Sequence, residues 1–176
     1  LFRSTDITVK DCFLRTSDDC VAIYGRRWDY NADSRNITVS SCCLWADVAH
    51  PTVIGTHGDY EHDGNVLEDI RFEDLDMVYE DIRIEPFQRG KLLDIQVKRN
   101  PDYNPVPGGG IAHIRFKNIT YTGCGEVKSC IRGYDAEHIV SDVTIENLSI
   151  RGKKAESLAE AGIETGPFAK EIRLLS

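Results

Sequence analysis

A seven-residue phrase recurs five times along the chain, and no other feature restricts its possible folds as strongly. The copies begin at residues 6, 36, 69, 113 and 142, so they are 30, 33, 44 and 29 residues apart. The first two read DITVKDC (6–12) and NITVSSC (36–42). A unit repeated at a period near 30 residues is typical of solenoids, in which each repeat contacts only its neighbours.

Within each copy, apolar and polar residues alternate, which predicts a strand with one buried face. Positions two and four are Ile, Val or Phe, and position seven is apolar again. Position six is Asp, Ser or Asn, which predicts a turn. We therefore expect buried columns made of Ile7, Val9, Cys12, Ile37, Val39, Cys42, Ile70, Phe72, Leu75, Ile114, Phe116, Val143, Ile145 and Leu148.

A second short strand is predicted in each unit, at 20–23, 52–54, 82–84 and, less clearly, 130–132. The sequence therefore predicts an all-β protein, a right-handed parallel β-helix of about five to six coils, in a single domain over 1–176. A β-sandwich is the alternative, but its strands do not repeat one phrase in register. Residues 100–110 are predicted to form a protruding loop, and 153–161 either a short helix or another excursion.

Charge and cysteine content narrow the function classes. The chain has 21 Lys and Arg against 29 Asp and Glu, a net charge of −8, which argues against a nucleic-acid partner. No apolar run approaches the ~20 residues of a membrane span, so no membrane partner is expected. The six cysteines show no CxxC pair typical of zinc sites, and they permit a disulfide framework without requiring one. Cys12 and Cys42 share position seven and are expected to be stacked core thiols.

The strongest candidate for chemistry is the pair Asp18-Asp19, directly before a predicted buried strand. Adjacent carboxylates repel each other, and a solvent-exposed turn can carry them without any function. Placed at a corner, however, both side chains can reach one cleft and act as a carboxylate pair for acid and base catalysis.

Aligning the second strands on their isoleucines at 23, 54 and 84 brings further polar residues to this wall. The alignment predicts one column of Asp19, His50 and Glu80, and a second column of Tyr24, Gly55 and Glu85. Stacked residues lie ~4.8 Å apart from coil to coil. We expect one polar patch containing Asp18, Asp19, His50, Arg83 and Glu85.

The run HGDYEHD at 57–63 combines carboxylates with two histidines, ligands that divalent ions accept. Its spacing matches no metal-binding loop motif, and such runs are commonly solvated loops. We therefore predict no metal here, and expect His57 to contact substrate from a loop at the rim of the cleft.

The segment SDDCVAI (17–23) resembles the Asp-Asp-Cys-Val-Ala-Ile motif of the polygalacturonases, glycoside hydrolase family 28. His50 corresponds to the histidine of the family's Gly-His-Gly motif, although both flanking glycines are replaced. Residues 83–85, Arg-Ile-Glu, correspond to the family's Arg-Ile-Lys. The segment LWADVA (44–49) is similar to the related dextranases of family 49.

This resemblance implies a parallel β-helix that hydrolyses a polysaccharide with inversion, without a cofactor. It implies that Asp18 is the general acid and that Asp19 activates water together with a further Asp. In the family that Asp belongs to an Asn-Thr-Asp-Gly motif, which is expected just upstream of Leu1. The chain is thus expected to be a fragment lacking N-terminal coils. His50 would tune protonation of the acid, and Arg83 would bind substrate oxygens through its donor fork.

Glu85 stands where the family's Lys faces a uronate, so the resemblance predicts a neutral glycan, or a uronate bound elsewhere. Tyr24, at the equivalent position of the first coil, is expected to contact substrate. A non-catalytic carbohydrate-binding or structural β-helix and a β-helix polysaccharide lyase remain as alternatives. The expected partner is a polysaccharide or oligosaccharide, and the expected location of the full-length protein is secreted or periplasmic.

Overall fold

The computed structural model describes residues 1–27, 30–55, 65–79, 91–99, 106–122 and 128–176. These residues form sixteen strands and no α-helix. The strands are β1 (Thr5–Lys10), β2 (Phe13–Thr16), β3 (Val21–Ile23), β4 (Arg26–Arg27), β5 (Tyr30–Asn31), β6 (Ser34–Ser40), β7 (Cys43–Ala46), β8 (Thr52–Gly55), β9 (Val66–Tyr79), β10 (Leu93–Gln96), β11 (Gly110–Tyr121), β12 (Ser129–Arg132), β13 (Val140–Ile150), β14 (Lys153–Lys154), β15 (Ile163–Thr165) and β16 (Ala169–Leu175). The described residues contain no helix that is long and apolar enough to cross a membrane.

Parallel strands from successive coils stack into two sheets. The first sheet stacks β1, β6, β9, β11, β13 and β16, and β2 and β7 join it beside the second half of β9. The second sheet has the order β3, β8, β10, β12, β15. The predicted β-solenoid is confirmed, with about four turns rather than five to six coils. Counting phrases overestimates the turns, because the five strands of the second sheet are connected by only four complete turns.

The core is built from the columns that the repeat predicts. The register aligns Ile7, Ile37, Ile70, Ile114, Val143 and Ile172 in one column, and Val9, Val39, Phe72, Phe116, Ile145 and Leu174 in the next. The rings of Phe72 and Phe116 stack at 5.0 Å and 7°. All predicted core residues are buried except Ile7, Val9 and Cys12, which are half-buried and packed against the core. Fully burying each such side chain contributes about 1.5–3 kcal/mol.

The corners of the first sheet explain the polar residues of the phrase. Position six has a left-handed backbone in every copy, for example φ 54° at Asp74, φ 54° at Asn118 and φ 55° at Asn147. Asp and Asn tolerate this region better than other non-glycine residues. Asn118 Nδ2 donates to Asp74 Oδ1 at 2.7 Å, and Asn147 Nδ2 donates to Asn118 Oδ1 at 2.9 Å. Position one is left-handed as well, with φ 59° at Asp6, which the sequence did not predict.

The second sheet corrects the sequence alignment in the third coil. Ile95 of β10, not Ile84, pairs with Ile54 of β8. The inward column of this sheet is therefore Ile23, Ile54, Ile95 and Ile131, all buried. Residues 82–84 lie outside the described part of the chain.

The remaining segments resolve the open alternatives. Residues 153–161 form an excursion, in which β14 pairs antiparallel with the end of β13 and turns follow. Of the predicted loop at 100–110, residues 100–105 lie outside the described part.

The five cysteines that the structure describes are free thiols, with Cys12 and Cys42 at equivalent positions as expected; Cys124 is not among them. A sixth phrase, missed in the sequence, begins at Glu171 and pairs with the fifth.

Candidate functional site

The Asp18-Asp19 pair lies at the corner between β2 and β3. Thr16 Oγ1 donates to the Asp18 carbonyl oxygen, and Asp18 Oδ1 accepts the Asp19 backbone N–H at 2.8 Å. These bonds close the corner and leave the Asp18 side chain exposed, while Asp19 is half-buried. The two neighbouring carboxylates therefore have different surroundings.

Asp19 and His50 meet across the boundary between the first two coils. Asp19 Oδ1 accepts the His50 backbone N–H at 3.1 Å and lies 2.8 Å from His50 Nδ1. The stacking that brings them together is fixed by backbone bonds, from Cys20 N–H to the His50 carbonyl at 3.0 Å and from Val21 N–H to the Pro51 carbonyl at 3.2 Å. The sequence predicted this adjacency, and the structure has it.

The partner of His50 Nδ1 determines the tautomer of the ring. A carboxylate oxygen only accepts hydrogen bonds, so Nδ1 carries the proton that it shares with Asp19. In the neutral imidazole, Nε2 is then the acceptor. The side chains of His50 and Asp19 are 21% and 17% exposed, so this acceptor is not sealed in the core.

Tyr24 completes the contacts of Asp19. Its hydroxyl donates to Asp19 Oδ2 at 3.4 Å, a long hydrogen bond. The backbone of Tyr24 is fixed by a parallel bridge to Phe2 and by Ser34 Oγ, which donates to the Tyr24 carbonyl at 3.1 Å. Both carboxylate oxygens of Asp19 thus face defined donors.

Cys20 lies beneath this corner and is not an activated nucleophile. Burial raises the pKa of its thiol, the Thr16 hydroxyl opposes the rise, and the Asp19 carboxylate adds to it. A thiol with a raised pKa is protonated at neutral pH and is a poor nucleophile. Its place in the motif is therefore explained by packing.

Three of the residues expected to bind substrate, His57, Arg83 and Glu85, lie outside the described residues. The alignment at Ile84, on which the columns with Glu80 and Glu85 depend, is wrong because Ile95 pairs with Ile54. With β10 in register beside β8, Gln96 pairs with Gly55. By the same register, Lys91 occupies the place that was predicted for Glu80.

A polar network that the sequence did not predict lies on the outer face of the second sheet. Asp94 Oδ1 lies 2.8 Å from Lys91 Nζ and accepts from Gln96 Nε2, while Arg132 Nε donates to Gln96 Oε1 at 2.8 Å. Asp94 and Gln96 are only 5% and 3% exposed. The alternation of apolar and polar residues in LLDIQ (92–96) was the available signal.

A second group that the sequence did not single out borders the corner on the side of β7. Arg15 Nη2 is 3.1 Å from Asp47 Oδ1, and its guanidinium lies 4.6 Å from the centre of the Trp45 ring. The Asp47 N–H donates to the Thr16 carbonyl at 2.8 Å. This group supports the strand that leads into Asp18.

Within the ranges that the structure describes, no three His, Cys, Asp or Glu side chains are grouped as metal ligands would be. The run at 57–63 lies outside those ranges. No known protein family, curated protein or solved structure matches the chain.

Proposed function

We propose that the protein is a glycoside hydrolase that cleaves a polysaccharide by inverting acid and base hydrolysis. One observation carries the proposal. The Asp18-Asp19 corner presents one exposed carboxylate beside a second that His50 and Tyr24 hold from two coils. Pairs of carboxyl groups in different environments are what acid and base catalysis at a glycosidic bond requires.

In the proposed reaction, Asp18 is the general acid. Its proton passes to the glycosidic oxygen as the bond from that oxygen to the anomeric carbon breaks. Water attacks the same carbon from the opposite face, and a carboxylate takes the proton that this water loses. Asp19, together with the further Asp that the polygalacturonase resemblance implies, activates this water. An inverting site holds its acid and base ~6.5–9.5 Å apart to leave room for it.

His50 is proposed as a positioning residue. Its Nδ1–H and its backbone N–H both bind Asp19 Oδ1, which fixes the direction of the carboxylate. The second oxygen, facing Tyr24 at a longer distance, is the less tightly held of the two. It is the oxygen that we assign to the water.

The substrate is proposed to be a neutral glycan or a pectin-related polysaccharide. A neutral glycan is predicted if Glu85 directly follows the second-sheet strand of the third coil, beside Gly55 of the second coil. Gln96 occupies that position, so like-charge repulsion from this column no longer disfavours a uronate. Tyr24, Arg83, Glu85 and His57 remain proposed substrate contacts.

The test is Asp18→Asn in the full-length protein, assayed for new reducing ends on polygalacturonate, galactan and dextran. We expect hydrolysis to be lost and the folded structure to be retained, since the Asp18 side chain is exposed. Asp11→Asn is the matched control, because Asp11 has φ 56° at a corner where other coils carry Asn. Unchanged hydrolysis in Asp18→Asn would remove Asp18 from the mechanism. Unsaturated products that absorb ultraviolet light would identify a lyase instead.

A further inference from the structure

A groove of about 300 Å³ lies on the outer face of the first sheet. It is formed by outward side chains of β9, β11, β13 and β16, whereas Asp19 and His50 precede strands of the second sheet. The side chains that shape it are Arg71, Arg115, Asp142, Thr144, Glu146 and Arg173. Its volume is at the lower end of the range for small-molecule sites.

The groove exists because the column at position three of the phrase has a threonine, Thr144, between two arginines. At position three the register stacks Arg71, Arg115, Thr144 and Arg173 on successive strands. Thr144 is short and has a long arginine on either side. It therefore forms the floor, and the arginines of the neighbouring coils form the walls.

Both walls are held in place by ion pairs with residues of β13. Arg115 Nη2 donates to Glu146 Oε2 at 2.7 Å, and Arg173 Nη2 donates to Asp142 Oδ1. The two acids are two residues before and two residues after Thr144, on the same face of the strand. These ion pairs place one guanidinium group on each side of Thr144.

The chemistry of the lining indicates the class of ligand. Three guanidinium groups face three carboxylates, those of Asp69, Asp142 and Glu146, so the groove has no net charge when His113 is neutral. Donors, acceptors and the Thr144 hydroxyl alternate over a few ångströms. Such a surface matches a ligand whose hydroxyl groups both donate and accept hydrogen bonds.

We propose that this groove binds a neutral sugar unit, independently of hydrolysis at the Asp18-Asp19 corner. The ligand would lie over Thr144 with its hydroxyls between the two arginine–carboxylate pairs. Because the contacts are polar and open to solvent, we expect a dissociation constant on the order of 1 mM for a disaccharide.

The test uses Thr144→Arg in the full chain, which fills the floor of the groove. The same column carries arginine in three other coils, so the repeat accommodates this residue. Thr38→Arg is the matched control, because Thr38 pairs with Arg71 in the same column but does not line the groove. Backbone amide shifts of the ¹⁵N-labelled chain are followed while maltose, cellobiose, xylobiose, galactobiose or digalacturonate is added.

At least one neutral disaccharide should shift the amides of 113–115 and 142–146 saturably. The shifts should disappear in Thr144→Arg and persist in Thr38→Arg. The proposal is overturned if no neutral probe shifts these amides, if only digalacturonate does, or if Thr144→Arg binds like the unmodified chain. The readout is local to the groove, so loss of hydrolysis elsewhere does not affect it.

Discussion

Asp19 and His50 form one of three Asp–His pairs in the described residues, and their setting distinguishes them. His113 and Asp69 are 57% and 48% exposed at 3.3 Å, and His138 binds Asp135 within a single loop at 2.6 Å. The Asp19–His50 pair is more enclosed than the Asp69–His113 pair. It links two coils, whereas the Asp135–His138 pair does not.

We predict that His50→Ala lowers kcat of the full-length hydrolase about 100-fold with KM nearly unchanged. The reason is that the loss of the Nδ1 contact lets the Asp19 carboxylate turn away from the attacking water. Steady-state kinetics on whichever polysaccharide is cleaved provide the measurement. His138→Ala removes the ring that binds Asp135 within a single loop and should leave both constants unchanged. A rise in KM with normal kcat would assign His50 to substrate binding instead.

Asp33 accepts a hydrogen bond from the next coil, and the stability that this contact contributes depends on pH. Burial raises the pKa of its carboxyl, but hydrogen bonds from Arg35 Nη2 at 2.7 Å and from the Val66 N–H at 2.9 Å outweigh this and hold it below its usual range. A carboxyl with a lower pKa in the folded state stabilises the fold fully above its unfolded pKa of about 3.9. That contribution is lost as pH falls through the folded pKa.

We therefore predict that Asp33→Asn is less stable than the unmodified chain at pH 6 and that the difference shrinks below pH ~4. Because the side chain is 38% exposed, solvent screening limits the difference to less than about 1 kcal/mol. Urea unfolding between pH 6 and 3 measures it. Asp11→Asn, at a side chain that is 71% exposed, should follow the pH dependence of the unmodified chain. An equal loss of stability in Asp33→Asn at every pH would show that its charge has no part in the effect.

The two sheets differed in how well their strands could be predicted from the sequence. First-sheet strands such as β9, with 14 residues, and β11, with 12, extend across a corner and carry the whole phrase, so their register was evident. Second-sheet strands have three or four residues, too few for alternation to be distinctive. The Ile-Arg-Ile triplet at 82–84 therefore fits the pattern of a second-sheet strand, although Leu93–Gln96 forms the strand that pairs with β8. The predicted columns with Glu80 and Glu85 depend on that alignment.

Gly55 at the end of β8 shows how closely the coils approach. Its φ is 110°, and a Cβ there would lie 2.1 Å from the Gln96 carbonyl oxygen. We predict that Gly55→Ala costs at least about 2 kcal/mol of unfolding free energy, from the clash with backbone together with the strained φ. The midpoint of urea unfolding gives the value.

Gly152→Ala provides the comparison, since Gly152 has φ 76° and nothing within 4 Å of the added Cβ. Only the backbone strain should remain there, costing about 1 kcal/mol. If the two variants lost equal stability, the close approach between β8 and β10 would have no energetic consequence.

For the molecule as a whole, the repeat established the solenoid but could not locate the chemistry. The core columns can be predicted from the repeat of about 30 residues, because they consist of residues of the seven-residue phrase. Asp19, Tyr24 and His50 belong to segments that the phrase does not include. Counting back from the isoleucines of β3 and β8 predicts that Asp19 and His50 are adjacent, whereas the hydrogen bond from Tyr24 to Asp19 was not predicted. The Lys91–Asp94–Gln96 network could not be found this way, because it requires the register of β10.

The number of neighbouring strands predicts how stability is distributed among the strands of the first sheet. Strand β11 pairs along its length with β9 on one side and β13 on the other, whereas β1 pairs only with β6 and β16 only with β13 among the described strands. In a solenoid, each lost neighbour removes an interface term. In the isolated 1–176 chain, we therefore expect β11 amides to exchange with solvent deuterium at least about 100-fold more slowly than those of β1 and β16. Phe116→Leu, which disrupts the stacked rings of β9 and β11, should narrow the difference, while Thr38→Arg should not. Equal exchange in all three strands would mean that the coils unfold as one unit.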